Sequence, residues 1–154
     1  IDCNAAKSPG AGMNTNKKLQ PASNLQDLSR VSKESQRPIL LLFSQAFCDS
    51  CHRIKEEILN PMLLNEDDTN RVIMREMLID EGQTFIDFDG SKRETRELFV
   101  DYDMVVTPTL ILLDYSGKQL GEMLVGLNTV ELYGWYLDEA IEYARQLVSS
   151  KSES

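Results

Sequence analysis

Residues 39–52 read Ile39-Leu40-Leu41-Leu42-Phe43-Ser44-Gln45-Ala46-Phe47-Cys48-Asp49-Ser50-Cys51-His52, and their order decides the fold. Pro38 and Ser44 bound an apolar run of strand length, apolar on both faces as a strand in the middle of a sheet must be. After Ser44-Gln45-Ala46-Phe47, a CxxC pair opens a helix in which Ile54, Ile58 and Leu59 mark one face, with Arg53, Lys55, Glu56 and Glu57 mostly on the other. Two cysteines three positions apart at a helix start lie within disulfide reach. Cys48 sits where unpaired backbone N–H groups and the helix dipole stabilise a thiolate, which is the physical requirement for thiol–disulfide exchange. Cys48 is therefore the expected nucleophile, and Cys51, a turn in and shielded, the resolving thiol. The dipeptide between them, Asp49-Ser50, tunes the pair. A negative charge about 5 Å from a thiolate costs ~0.8 kcal/mol in bulk water, equivalent to about half a pKa unit upward. A protonated His52 pushes the other way, but it is read as a solvated first-turn residue and not as catalytic.

Working outward, residues 1–22 carry turn formers and no apolar period, and they read as a flexible N-terminal segment. Cys3 stands in that segment and is assigned no function; a lipidated cysteine is the first mature residue, and two residues precede this one. Ser23 with Gln26 suggests a capping box, followed by Leu25, Leu28 and Val31 at helical spacing. Beyond the CxxC, Asn60-Pro61 should break the helix, Met62 to Asp68 adds a further turn or two, and Val72 to Asp80 is a second strand. Glu81 to Gly90 reads as an inserted exposed loop or small hairpin. Ser91 with Glu94 suggests a second capping box, ahead of a helix striped by Leu98, Phe99 and Tyr102. Val105 to Leu113 is an apolar strand with Pro108 near its start, turning at 114–118 into a strand from Gln119 to Val125. Asn128 and Glu131 are expected to cap a final helix that buries Val130, Tyr133, Leu137, Ala140, Ile141, Ala144 and Leu147. The folded domain then spans 23–148, with 149–154 a polar C-terminal tail.

Composition narrows the function. The 154-residue chain is 42% hydrophobic, enough for one ordinary core, and its net charge of −9 repels phosphate backbones and anionic lipid headgroups. No nucleic acid partner is expected. The longest apolar run, Ile39 to Phe43, is far short of a membrane span. Three cysteines and one histidine leave too few soft ligands for a typical structural zinc site, so no metal is expected, and no glycine-rich phosphate loop is present. Neither acidic run, 66–68 or 87–89, has the alternating oxygen ligands of a calcium loop. Because the chain opens on Ile1 and not on Met, an upstream segment is expected to have been removed, either a secretion signal or an artificial leader, so an exported, periplasmic protein and a cytoplasmic one both stay open here.

An apolar strand, then Phe47-Cys48-x-x-Cys51 at a helix start, then Val105-Val106-Thr107-Pro108-Thr109-Leu110-Ile111-Leu112-Leu113-Asp114, a glycine turn and a closing helix resemble the thioredoxin superfamily over residues 23–148. Within it, the Asp87-Phe88-Asp89-Gly90 insertion, Tyr102 and Thr107-Pro108-Thr109 make the chain most similar to exported SoxW-type thioredoxins and related periplasmic thioredoxin-like proteins. The resemblance implies an α/β thioredoxin fold, a mixed central sheet flanked by helices in the order α-β-α-β-α-β-β-α. It implies a cis Pro108 packed against the CxxC, and a substrate groove of Phe47, Thr107, Pro108 and Gly126 in which the Thr107 backbone pairs with an extended client segment. The implied activity is reduction of protein disulfides by a monomer without a cofactor, fed by a membrane or thioredoxin-type electron donor. There are departures. Cytoplasmic thioredoxins carry Trp where Phe47 stands, Gly-Pro where Asp49-Ser50 stands, and a buried Asp where Leu42 stands. Glu76, on the facing strand where thioredoxin has a lysine, is the candidate to supply the missing carboxylate near Cys51.

Two other readings compete. Cys48-Asp49-Ser50-Cys51-His52 satisfies the CxxCH haem-attachment pattern, with His52 as axial ligand and Met104 or Met123 opposite. It fits poorly, because a buried strand feeds straight into the motif and Thr107-Pro108 has no part in a cytochrome. The other is a redox-inactive binding module or chaperone, in which the groove beside Pro108 holds clients but the thiols do not cycle.

Overall fold

The computed structural model describes residues 17–127 and 129–153. Its elements are α1 (Leu25–Ser35), β1 (Ile39–Ser44), α2 (Asp49–Ile54), a π turn (Lys55–Leu59), α3 (Asn60–Leu63), α4 (Glu66–Thr69) and β2 (Ile73–Leu78). There follow β3 (Thr84–Ile86), β4 (Lys92–Glu94), α5 (Thr95–Asp101), β5 (Thr109–Leu113), β6 (Leu124–Val125) and α6 (Val130–Glu153).

All six residues of β1 are buried, because both edges are paired and both faces covered. β2 runs parallel to it, with Leu42 opposite Glu76, and β5 runs antiparallel on its other side, with Leu42 opposite Leu110. The sheet order is β2-β1-β5-β6, a mixed sheet of four strands. Alternation along the strands then divides the core in two. Leu40, Leu42, Met74, Leu110 and Leu112 pack with Ile54, Ile58 and Leu59 of the motif helix and Tyr133, Leu137 and Ile141 of α6. Leu41, Phe43, Ile73, Met77 and Ile111 pack with Leu25 and Leu28 of α1 and Leu98 and Phe99 of α5. Truncating any one of the fully buried leucines is expected to cost about 2–5 kcal/mol. The CxxC lies where β1 leaves this sandwich and α2 begins.

The structure starts earlier than the expected boundary at Ser23. Leu19 and Ala22 are buried, the Ala22 N–H donates to the Glu76 carbonyl at 2.7 Å, and the Glu76 N–H donates to the Gln20 carbonyl at 2.8 Å. Residues 17–22 are thus laid along the free edge of β2, where exposed strand donors and acceptors supply what the local sequence pattern lacks. Cys3 and the rest of 1–16 lie outside the described residues.

Two caps fall one to three residues from their expected places. Asn24, not Ser23, caps α1 by accepting the Asp27 N–H at 3.1 Å. Residues 92–94, expected to open a helix from Ser91, are strand, and Glu94 caps α5 in a reciprocal box with Glu97. Asn128, the expected cap of α6, lies outside the described residues; the Leu132 N–H donates to Thr129 Oγ1 at 3.4 Å. α6 then continues to Glu153, through most of the expected tail.

Pro61 does not break the helix. It has no N–H to return to the Glu57 carbonyl, and the wider turn before it, in which the Asn60 N–H reaches the Lys55 carbonyl, absorbs the defect. The insertion is the hairpin β3–β4, anchored by buried Phe85. Phe88 leans on Gly117, whose φ of +90° and contact with that ring both demand glycine: a Cβ there would stand 2.8 Å from the aromatic carbon. The Tyr102 hydroxyl donates to the Gly117 carbonyl at 2.7 Å, and burial followed by nearby carboxylates pushes its pKa up to about 12. The expected strand from Gln119 to Val125 shrinks to one bridge, Leu113 with Gln119, and the two-residue β6.

Candidate active site

Cys48 is the N-cap of α2: extended itself, with its sulfur accepting the Cys51 N–H at 3.2 Å. A short helix start with a free first turn of N–H groups places that donor under the sulfur without any further residue. Cys48 and Cys51 form a disulfide with their Cα atoms 5.3 Å apart. Cys51 is fully buried, whereas Cys48 is partly exposed, so one sulfur is reachable and the other is enclosed by the core that holds Ile54. Asp49 is exposed and Ser50 half-buried between them.

The segment before Cys48 is tied down from three sides. The Ala46 N–H donates to Asp80 Oδ2 at 2.9 Å, His52 Nε2 bonds the Ala46 carbonyl at 2.9 Å, and Gln45 Oε1 accepts the Thr107 hydroxyl at 2.9 Å. The Thr107 hydroxyl also stands 3.6 Å from Cys48 Sγ. His52 therefore holds the loop through the backbone. Phe47, between these anchors and Cys48, is fully exposed.

The Thr107–Pro108 peptide is cis. Pro108 is buried, and its carbonyl accepts the Gly126 N–H at 2.8 Å, so Gly126 lies against the same loop. Gly126 has φ +74°, a conformation that only a residue without Cβ adopts cheaply. Val105, Val106 and Val125 flank these residues with their side chains exposed.

Phe47, Cys48, Cys51, Thr107, Pro108 and Gly126 are thus drawn to one end of the sheet. Glu76 is placed differently. Its carboxylate accepts the Ser44 hydroxyl and pairs with Lys55 Nζ at 2.9 Å, and its hydrogen bonds reach neither cysteine. It shares the motif-helix face of the sheet with Leu42, its cross-strand partner, and lines a cavity of about 330 Å³ with His52, Lys55 and Asn60. Gln45, Asp80, Ser44 and Lys55 were not singled out by sequence reasoning. Their only sequence signal is a polar residue directly after a buried strand, or at helical spacing from the CxxC.

A family model for a thioredoxin-like domain matches residues 25–141. The chain belongs to the thioredoxin superfamily. Solved structures carry the same fold at low identity. A thioredoxin-fold protein from Helicobacter pylori is 19% identical, over 92% of this chain and 96% of its own, with a TM-score of 0.57. The DsbH oxidoreductase is 20% identical, over 92% and 95%, with a TM-score of 0.59. Spinach chloroplast thioredoxin f is 17% identical, over 84% and 95%, at 0.52. No curated protein matches the sequence. The thioredoxin fold together with a CxxC pair at disulfide distance supports thiol–disulfide oxidoreductase chemistry at Cys48 and Cys51. Among the described residues, no group of His, Cys, Asp and Glu is arranged to hold a metal ion, and no helix is long and apolar enough to cross a membrane.

Proposed function

We propose that this protein reduces disulfides of client proteins outside the cytoplasm, working as a monomer through its own two thiols. One observation carries the reading: a partly exposed cysteine at a helix start is bonded to a fully buried one behind it. In the reduced protein the Cys48 thiolate attacks a client disulfide, forming a mixed disulfide and releasing one client thiolate, which takes up a proton. The Cys51 thiol loses its proton and attacks Cys48 Sγ, expelling the second client thiolate and closing the Cys48–Cys51 bond. The client is reduced by two electrons and the protein is oxidised by two. Donors from the Cys51 N–H and the Thr107 hydroxyl favour the Cys48 thiolate, and Asp49 disfavours it.

In this reading the client strand lies against Phe47, Thr107, Pro108 and Gly126, pairing with the Thr107 backbone beside exposed Val105 and Val106. Glu76 takes the proton from Cys51. It is the carboxylate on the motif-helix face of the sheet, opposite Leu42 and beside the Ser44 hydroxyl and Lys55. The working unit is the domain 23–148 with its packed lead-in 17–22. Export, and electrons from a membrane or thioredoxin-type donor, are part of the same proposal and rest on the sequence resemblance to SoxW-type proteins. Asp49 favours the reducing direction, because a less stable thiolate makes the dithiol the stronger donor.

Insulin reduction by dithiothreitol tests the activity: catalysed turbidity is expected, and its absence in the intact protein overturns the reading in favour of a binding module. Cys51→Ser is expected to accumulate mixed disulfides through Cys48 in the native host. Equilibration with glutathione tests direction, with a potential near about −270 mV expected and one near about −120 mV pointing to an oxidant. Glu76→Gln is expected to slow turnover and move its pH profile.

A further inference from the structure

The Thr107 hydroxyl faces two acceptors, Gln45 Oε1 at 2.9 Å and Cys48 Sγ at 3.6 Å, and it has one proton. In the closed disulfide Cys48 Sγ is neutral and a weak acceptor, so the proton goes to the amide oxygen. Once the bond is opened, Cys48 carries negative charge, and hydrogen bonds to ionised acceptors are roughly twice as strong as neutral ones. Moving the proton requires rotation about one C–O bond and no shift of backbone. Gln45 is half-buried, so its oxygen can turn to water when released.

We propose that Thr107 is a two-position proton donor, serving the Gln45 carbonyl while the disulfide is closed and the Cys48 thiolate when it is open, with Gln45 setting how readily Cys48 ionises. This deepens the oxidoreductase reading and rests on it. Thr107 touches the reacting sulfur, whereas Gln45 is a positioning residue that acts through Thr107. The competition has a definite sign. A protonated Cys48 leaves the hydroxyl on Gln45, and ionisation must take it away; an apolar residue at 45 removes that opposing bond and makes ionisation easier.

The charged groups near Cys48 are Asp49 and His52 on α2 and, through the Ala46 N–H, Asp80 after β2, with the Lys55–Glu76 pair on the motif-helix face of the sheet; the Thr107–Pro108 loop and β6 bring uncharged residues. The variants Thr107→Val, Thr107→Ser and Gln45→Leu change no charge, so these contributions cancel. The experiment is the pH dependence of iodoacetamide alkylation of the fully reduced chain, read at the Cys48 peptide by mass spectrometry so that Cys3 and Cys51 do not contribute. T107V is expected to raise the Cys48 midpoint by about half a unit or more, and T107S to restore it. Q45L is expected to lower the midpoint by a few tenths of a unit, and to have no effect in the T107V background. An unchanged midpoint in T107V, or a Q45L shift that persists when the hydroxyl is gone, overturns the proposal. A protein that fails to turn over insulin still has a measurable Cys48 midpoint, so failure of the activity and failure of this device are separate results.

Discussion

Arg93, in the β3–β4 hairpin, and Cys48, at the head of α2, are each surrounded by groups from several elements, but the two surroundings are completed differently. Arg93 gives its guanidinium to Asp87 at 2.8 Å and Asp101 at 2.7 Å, with Glu97 at 3.9 Å, and the hydrogen bonds to Asp87 and Asp101 raise its pKa above the usual value. Around it Phe85 is buried, Phe88 covers Gly117 and Tyr102 bonds the turn. The Arg93 guanidinium and the Tyr102 hydroxyl there both finish inside the molecule. At Cys48 the donors converge on the sulfur of a residue that is itself partly exposed, and Phe47, Val105, Val106 and Val125 are exposed beside it. One region is closed by its own side chains. The other is left open beside a reachable cysteine.

The contrast is broken most severely by Cys48→Ser, which is expected to drop insulin reduction to the uncatalysed rate while the reduced protein unfolds in urea at an unchanged midpoint. Arg93→Gln should do the reverse. Leaving Asp87 and Asp101 without their cation is expected to cost about 1–2 kcal/mol in urea unfolding, reduced from the buried-pair range because Arg93 and Asp101 are partly solvated, with turnover per folded molecule unchanged. A loss of activity in R93Q would show that the hairpin reaches the motif after all.

The α4–α6 ion-pair cluster sharpens the comparison through pH. Arg71, by its hydrogen bond, holds the Glu142 carboxylate below its ordinary pKa. A lowered folded-state value means stability that is fully present above the unfolded carboxylate pKa and lost as pH falls through the folded one. Arg71→Gln should therefore lower stability evenly near pH 7 and flatten the decline that begins at the ordinary carboxylate pKa and runs down through the lower folded value, measured as urea midpoint against pH. Phe47→Ala is expected to change stability by no more than about 0.5 kcal/mol, because the ring is fully exposed. Its effect on catalysis should still be several-fold, seen as a rise in KM for a protein client and not for a small disulfide.

Much of this contrast was legible in the chain. The Ile39–Phe43 run and the CxxC that follows fix β1 and the start of α2 because both signals are local: burial on two faces, then a helix opening on a cysteine. What was not legible depends on partners far along the chain. Asp80 reaches back 34 residues to the Ala46 N–H, and Gln45 meets Thr107 across 62. Such pairs exist only once β1, β2 and β5 have been brought side by side. Ser23 and Asn24 are chemically alike as caps, so tertiary pairing of Asn24 with Ile86 decided between them. Lys17 to Ala22 look like linker because a segment with one apolar side in every few residues has no period to detect, yet Leu19 donates its N–H to Asn60 Oδ1 at 3.0 Å and sinks into the core.

That lead-in has a bearing on how the protein survives being trimmed. A protease that cut just before Ser23 would strip the cover from the outer rim of the sheet and leave the Glu76 amide and carbonyl as a template for foreign strands. The shortened molecule could keep its sulfurs in place and still be lost to self-association.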